Sequence, residues 1–85
     1  RYRRRDVRTT EKIKQDILKA CARKPKQLGR YKVTSIDTKD GYKFFIDKGW
    51  LLIRASGTEP LLRYYAEADS MNKVNELLEE GLKLK

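Results

Sequence analysis

At 85 residues the chain has room for one domain with a single modest core, burying roughly 60–65% of the surface its unfolded form would expose. Hydrophobic and charged residues each make up 39%, and the net charge of +9 draws anionic partners (nucleic acid, a membrane surface or phosphorylated metabolites) without choosing among them. There is no His, so the commonest general base and metal ligand is missing, and a lone Cys21 excludes a disulfide framework or a thiolate metal cluster. That cysteine usage fits a reducing, cytoplasmic setting. No apolar run approaches the roughly 20 residues of a membrane helix, and no signal peptide is visible, so no membrane partner is expected. The first residue is Arg rather than Met, and a piece of a longer protein is expected.

In chain order, Arg1–Arg8 (RYRRRDVR) is nearly all charged. It reads as a solvated linker or arm, or as a basic contact strip. Thr9 or Thr10 can cap a helix reaching Ala22, with Glu11 favourable in its first turn. Ile13, Ile17, Leu18 and Cys21 recur at helical spacing and form its apolar stripe, while Lys12, Lys14, Gln15, Asp16 and Lys19 should face water. Pro25 stops the helix at or before Lys24. Tyr31, Val33 and Ser35 alternate with Lys32, Thr34 and Ile36, a first strand whose buried face stays open. Asp40-Gly41 is a hairpin dipeptide. Tyr42–Asp47 is a second strand, with Tyr42, Phe44 and Ile46 on one face. Lys48-Gly49 turns the chain into a third, Trp50–Ala55.

Leu61–Ala68 is a fourth strand, with Leu62, Tyr64, Ala66 and Ala68 opposite Leu61, Arg63, Tyr65 and Glu67. Asp69 or Ser70 then caps a last helix with Val74, Leu77, Leu78 and Leu82 on one stripe. Gly81 weakens that helix by about 1 kcal/mol relative to Ala. The order helix, four strands, helix, with short connections, predicts an α+β domain: a four-stranded antiparallel sheet with both helices packed on it.

The run RASGTEPLLR, Arg54 to Arg63, holds more than a plain hairpin needs. Arg54 supplies a guanidinium fork that can pair two phosphate oxygens at once. Ser56 and Thr58 add hydroxyl donors. Gly57 lets the backbone take unusual angles and turn N–H groups toward a ligand, as in an anion-binding nest. Pro60 fixes the way out of the loop, and Arg63 is near enough to add a second cation. Each charge-assisted bond contributes roughly 1.5–3 kcal/mol, so three or four could hold a phosphate. Ser-Gly-Thr is also ordinary turn chemistry, so residue types alone leave an anion site and a plain connection both open. Glu59 opposes an anion by its charge, unless it pairs with Arg54 or Arg63 or reaches a sugar hydroxyl.

R-A-S-G-T-E-P followed by L-L-R resembles the phosphate-binding loop of the α-D-phosphohexomutases, the phosphoglucomutase/phosphomannomutase family. D-G-Y-K-F-F-I-D-K-G-W-L-L-I-R before it and Y-Y-A-E-A with a terminal helix after it agree, from about Tyr31 onward. The resemblance implies the fourth, C-terminal domain of a four-domain enzyme, with a TATA-box-binding-protein-like fold spanning residues 9–85. Residues 1–8 would then be the hinge from the third domain. Such enzymes move phosphate between C1 and C6 of a hexose. A phosphoserine on the first domain is the donor, Mg²⁺ is held by the second domain, and the third reads the sugar. The fourth grips the phosphate that is not being transferred and closes the cleft. Arg54, Ser56, Gly57 and Thr58 would make that grip, with Arg63 beside them. Ser56 would be a ligand, not the nucleophile. The chain has no phosphoserine loop, no acidic Mg²⁺ cluster and no sugar-reading loop, so no catalytic residue and no cofactor of its own is expected. Its partners would be the phosphosugar and the other three domains.

A basic nucleic-acid-binding module is the alternative. Tyr31, Tyr42, Phe44, Phe45, Trp50, Tyr64 and Tyr65 lie on strands, as stacking platforms do. Most are expected in the core instead, and the signature K/R-G-F/Y-G/A-F-V-x-F/Y is absent. A purely structural or dimerising domain is a further alternative.

Overall fold

A computed structural model describes residues 1–84; Lys85, the last residue of the expected domain, lies outside the described residues. The expected linker is a strand. β1 (Tyr2–Arg8) pairs antiparallel with β7 (Leu61–Ala68), from Tyr2 opposite Glu67 to Arg8 opposite Leu61. Its charges conceal a strand alternation, and they suit an edge, where charged side chains discourage pairing with another chain.

α1 (Glu11–Ala22) starts at Thr10, whose hydroxyl accepts a 3.1 Å bond from the Ile13 N–H, and ends at Arg23 before Pro25. β2 (Gln27–Leu28) and β3 (Tyr31–Lys32) form a short ribbon. β4 (Ser35–Asp37) then joins the main sheet. The single strand expected over 31–36 is split because its hydrogen bonding changes partner midway. The Val33 N–H donates to the Lys26 carbonyl and the Thr34 N–H to that of Phe45.

β5 (Tyr42–Ile46), β6 (Gly49–Ala55) and β7 follow, and α2 (Met71–Leu82) closes the chain behind its Ser70 cap. Gly49 is already the first residue of β6, and the tight turn falls on Asp47-Lys48. The main sheet is fully antiparallel in the order β1-β7-β6-β5-β4, so it has five strands where four were expected. The α+β class with two helices on an antiparallel sheet stands.

The core lies between one face of the sheet and the helices. Phe44, Leu51, Ile53, Leu62, Tyr64 and Ala66 come from the sheet, Val74, Leu77 and Leu78 from α2, and Ile17 and Cys21 from α1. Gly81 does not end α2 early. A Cβ there would come within 3.0 Å of a Leu51 methyl, so its absence lets the helix settle onto the sheet. The α1 stripe is rotated from the expected phase. Ile13 is 47% exposed and Lys14 only 7%, so Lys14, Ile17, Ala20 and Cys21 form the buried side.

The other face of the sheet carries no helix. By strand alternation it presents Arg4 and Asp6 from β1, Arg63 and Tyr65 from β7, Trp50, Leu52 and Arg54 from β6, and Lys43 and Phe45 from β5. The expectation that most aromatics are core is therefore only half met. Phe44 and Tyr64 are buried, and Tyr31 and Tyr42 pack against the core at its edge. Phe45, Trp50 and Tyr65 lie half-buried on the open face. There they are overlain by the chain's own cations, with Lys43 Nζ 4.3 Å from the Trp50 ring centre and the Arg4 guanidinium 5.8 Å from that of Tyr65.

Candidate functional site

Residues 56–60 connect β6 to β7. The connection is closed by the Ser56 N–H donating to the Leu61 carbonyl at 3.0 Å and the Leu61 N–H to that of Glu59 at 2.8 Å. The Thr58 N–H points at Ser56 Oγ, 3.4 Å away, which tightens the turn from within. The two arginines stand on the strands at its mouth. Arg54 and Arg63 are direct cross-strand partners, and Arg54 is exposed. Side chains so paired start about 5 Å apart, and like charges in that position destabilise a sheet.

Neither guanidinium has a hydrogen-bond or ion-pair partner among the described residues, and Nε of Arg63 is buried without one. On its far side Arg63 faces Asp6 across β1. That carboxylate is already taken by Arg4, at 3.0 and 3.2 Å. The Arg4 hydrogen bond holds its pKa below the usual carboxylate value, with a smaller contribution from the charge of Arg63. On the other side of Arg54 stands Gly41, which has no side chain to cover it: a Cβ there would lie 3.2 Å from the Arg54 Cα.

Ser56 is half-buried, and Gly57 and Thr58 are exposed at the tip. The loop and both arginines thus share one accessible end of the sheet. Gly57 contributes differently from expectation. Its φ is not in the left-handed region, and a Cβ built on it would meet nothing within 4 Å. Space, not unusual backbone angles, is what this glycine supplies. Its N–H has no partner among the described residues. Glu59 pairs with neither Arg54 nor Arg63. Its carboxylate lies 3.7 Å from Arg8, so it is drawn away toward β1.

Three residues that the sequence did not connect with the loop hold its back. The Thr9 N–H donates to the Pro60 carbonyl at 2.9 Å. Arg8 meets Glu59. Lys14 reaches from α1 to the carbonyls of Ser56 and Glu59, at 3.0 and 3.3 Å. The spacing of Lys14 to Ile17 and Cys21 (i, i+3, i+7) was the available signal for its buried position, but a charged residue there reads as solvent-facing.

No group of three or more His, Cys, Asp or Glu residues gathers into a metal site among the described residues. Burial pushes the Cys21 thiol up to about 12, so it is neither a nucleophile nor a ready ligand. No helix among the described residues is long and apolar enough to cross a membrane. What remains at this end of the sheet is a cluster of cations, hydroxyls and a free amide, which is chemistry for binding an anion.

Residues 4–84 match the family model described as phosphoglucomutase/phosphomannomutase, C-terminal domain. The chain is 50% identical over 66 residues to the phosphoglucomutase/phosphomannomutase of Thermococcus kodakarensis, covering 78% of this chain and 14% of that protein. It is 50% identical over 48 residues to the phosphoglucosamine mutase of Methanocaldococcus jannaschii, covering 56% of this chain and 11% of the relative. The phosphoglucosamine mutase of Methanococcus aeolicus is 51% identical over 49 residues, covering 58% and 11%. The matched segment therefore spans only a small part of each relative. With the match running from within β1 to the end of α2, the chain belongs to the C-terminal domain family of the phosphoglucomutase/phosphomannomutase enzymes.

Proposed function

We propose that this domain grips the phosphate of a hexose phosphate in a phosphohexomutase that interconverts the 1- and 6-phosphates. Arg54, Ser56, Gly57, Thr58 and Arg63 make the grip. The observation that carries this reading is the Arg54–Arg63 pair, two like charges set opposite each other at the mouth of the loop with no ion pair of their own among the described residues, the one nearby carboxylate, Asp6, being bound to Arg4. A phosphate dianion between them turns the repulsion into two charge-assisted contacts. The Ser56 and Thr58 hydroxyls and the Gly57 N–H lie at the same end to take the remaining oxygens, and the open space over Gly57 lets the ligand approach.

The domain's contribution to catalysis is then positioning and charge neutralisation. Phosphoryl transfer needs its partners in line and its spreading negative charge compensated. Holding the phosphate that is not transferred fixes the far end of the sugar, and with it the angle of the reacting hydroxyl. Ser56 acts as a ligand and not as the nucleophile, and none of the chain's residues does covalent chemistry. Among the described residues no group of His, Cys, Asp or Glu fits the Mg²⁺ implied for the parent, and no step of this domain is routed through it. Residues 1–8 would serve both as edge strand and as connection to the preceding domain. A cytoplasmic setting suits the buried, reduced Cys21.

The test is a titration of the ¹⁵N-labelled chain with glucose 6-phosphate. Gly57 and Thr58 amides should shift, with affinity on the order of millimolar because the rest of the cleft is missing, and Arg54→Ala should remove the shifts. Amides at 57 and 58 that stay still at saturating ligand would count against the reading. Shifts centred on Trp50 and Tyr65 with oligonucleotide, weakening steeply with salt, would favour the nucleic-acid alternative.

A further inference from the structure

Among the described residues Lys14 is the one charged side chain in the buried set. An ammonium has three N–H donors and no acceptor, and desolvating it is costly unless each is used. Three acceptors surround this one: the Ser56 carbonyl at 3.0 Å, the Glu59 carbonyl at 3.3 Å and Glu11 Oε1 at 3.4 Å. Two of these are the backbone oxygens on either side of Gly57-Thr58. The Glu11 carboxylate is itself fixed by the Gln15 amide, which donates to its other oxygen at 2.9 Å.

A peptide bond is planar and trans, so its C=O and N–H point in opposite directions. With the Ser56 carbonyl drawn onto Lys14, the N–H of Gly57 in the same peptide must face away from α1. With that of Glu59, it is one of two loop amides left without a partner among the described residues. We propose that Lys14 is a positioning residue of the phosphate-binding loop, its ammonium clamping the Ser56 and Glu59 carbonyls so that the Gly57 N–H is held outward toward the ligand. The proposal rests on the phosphate-binding reading above for its ligand, but the clamp itself can be tested without one.

The test uses the ¹⁵N-labelled chain with Lys14→Met, which keeps the unbranched stem and loses the charge, and Lys14→Arg, which keeps the charge. In the Met variant the ¹⁵N order parameters of Gly57 and Thr58 should fall while those of β6 and β7 stay put. Affinity for inorganic phosphate should weaken about tenfold, the loss of one well-placed donor. Lys14→Arg should recover most of both. A residue that merely supports the fold would lower the melting temperature and leave loop order and phosphate affinity unmoved in the folded variant, and that result overturns the proposal. If the unsubstituted chain binds no phosphate, the function above fails, and the order parameters alone then decide the clamp. If Lys14→Met does not fold, the unsubstituted chain decides. Slowly exchanging Lys14 ammonium protons coupled to the Ser56 and Glu59 carbonyl carbons support the clamp, and their absence overturns it.

Discussion

Two glycines flank Arg54, and they are there for opposite reasons. Gly41, in the turn before β5, has φ +101, and a Cβ on it would come 2.5 Å from the Ile53 carbonyl oxygen. Neither the angle nor the space admits another residue. Gly57, at the tip of the β6–β7 loop, has no left-handed φ and open space where a side chain would go. Nothing within the folded chain requires a glycine there. A glycine that the fold does not need, beside Arg54 and Arg63, fits the proposal of a ligand that approaches from outside. The fold therefore accounts for the first loop by itself, and leaves the second to the ligand proposed above.

Substitutions can break that contrast. Gly41→Ala should have the largest effect, a loss of about 2–4 kcal/mol from backbone strain and overlap. For a domain of this size that lowers the melting temperature by about 10–20 °C, read by circular dichroism. A melting point within two or three degrees of the parent's would remove the steric half of the comparison.

Arg54→Ala comes next, with its effect on function and not on folding. In the full mutase, kcat/KM should fall roughly ten- to a hundredfold, about 1.4–2.7 kcal/mol of lost binding. Relief of the Arg54–Arg63 repulsion should leave the stability of the domain unchanged or slightly raised. Normal kinetics would sink the assignment of Arg54.

Gly57→Ala should be quieter still in stability, shifting the melting temperature by no more than about 2 °C. It should nevertheless weaken phosphate binding severalfold, because a methyl now occupies the approach. Equal affinity in the alanine variant would mean that the open space has no role.

The smallest effect is a pH dependence at Glu76 on α2. The Tyr31 hydroxyl (2.6 Å) and then Arg30 (2.9 Å) hold the Glu76 carboxyl below its ordinary pKa. A carboxylate depressed in this way contributes stability above its unfolded pKa and loses it as pH falls through the lower folded value. Glu76→Gln should therefore be slightly less stable than the parent at neutral pH, and the difference should close in acid below the ordinary carboxylate range. The pair is exposed, so the effect is small. A difference that grew on acidification would contradict the sign.

Much of this was legible in the chain. β5, β6, β7 and α2 fell where alternation and helical spacing placed them, because their apolar residues outnumber the exceptions and each element buries one face. The R-A-S-G-T-E-P run pointed to the family before any fold was known. β1 was hidden because an edge strand needs no apolar face to pair, and seven residues of mostly charge look the same in solution or on a sheet edge. The short β2–β3 ribbon was hidden because two-residue strands leave no periodicity to see.

The sequence by itself thus determined the α+β class and the residue types of the loop and narrowed each helix cap to two neighbouring residues, since these depend on neighbours a few positions apart. Only the tertiary structure decided which partners those residues meet. It set Arg54 against Arg63 through the β6–β7 register, sent Glu59 to Arg8 and brought Lys14 under the loop, 42 and 45 positions away along the chain. The physical reason is that a buried ammonium or an unbalanced pair of guanidiniums is settled by which acceptors the folded backbone brings within hydrogen-bond reach. That proximity is long-range and carries no local signature.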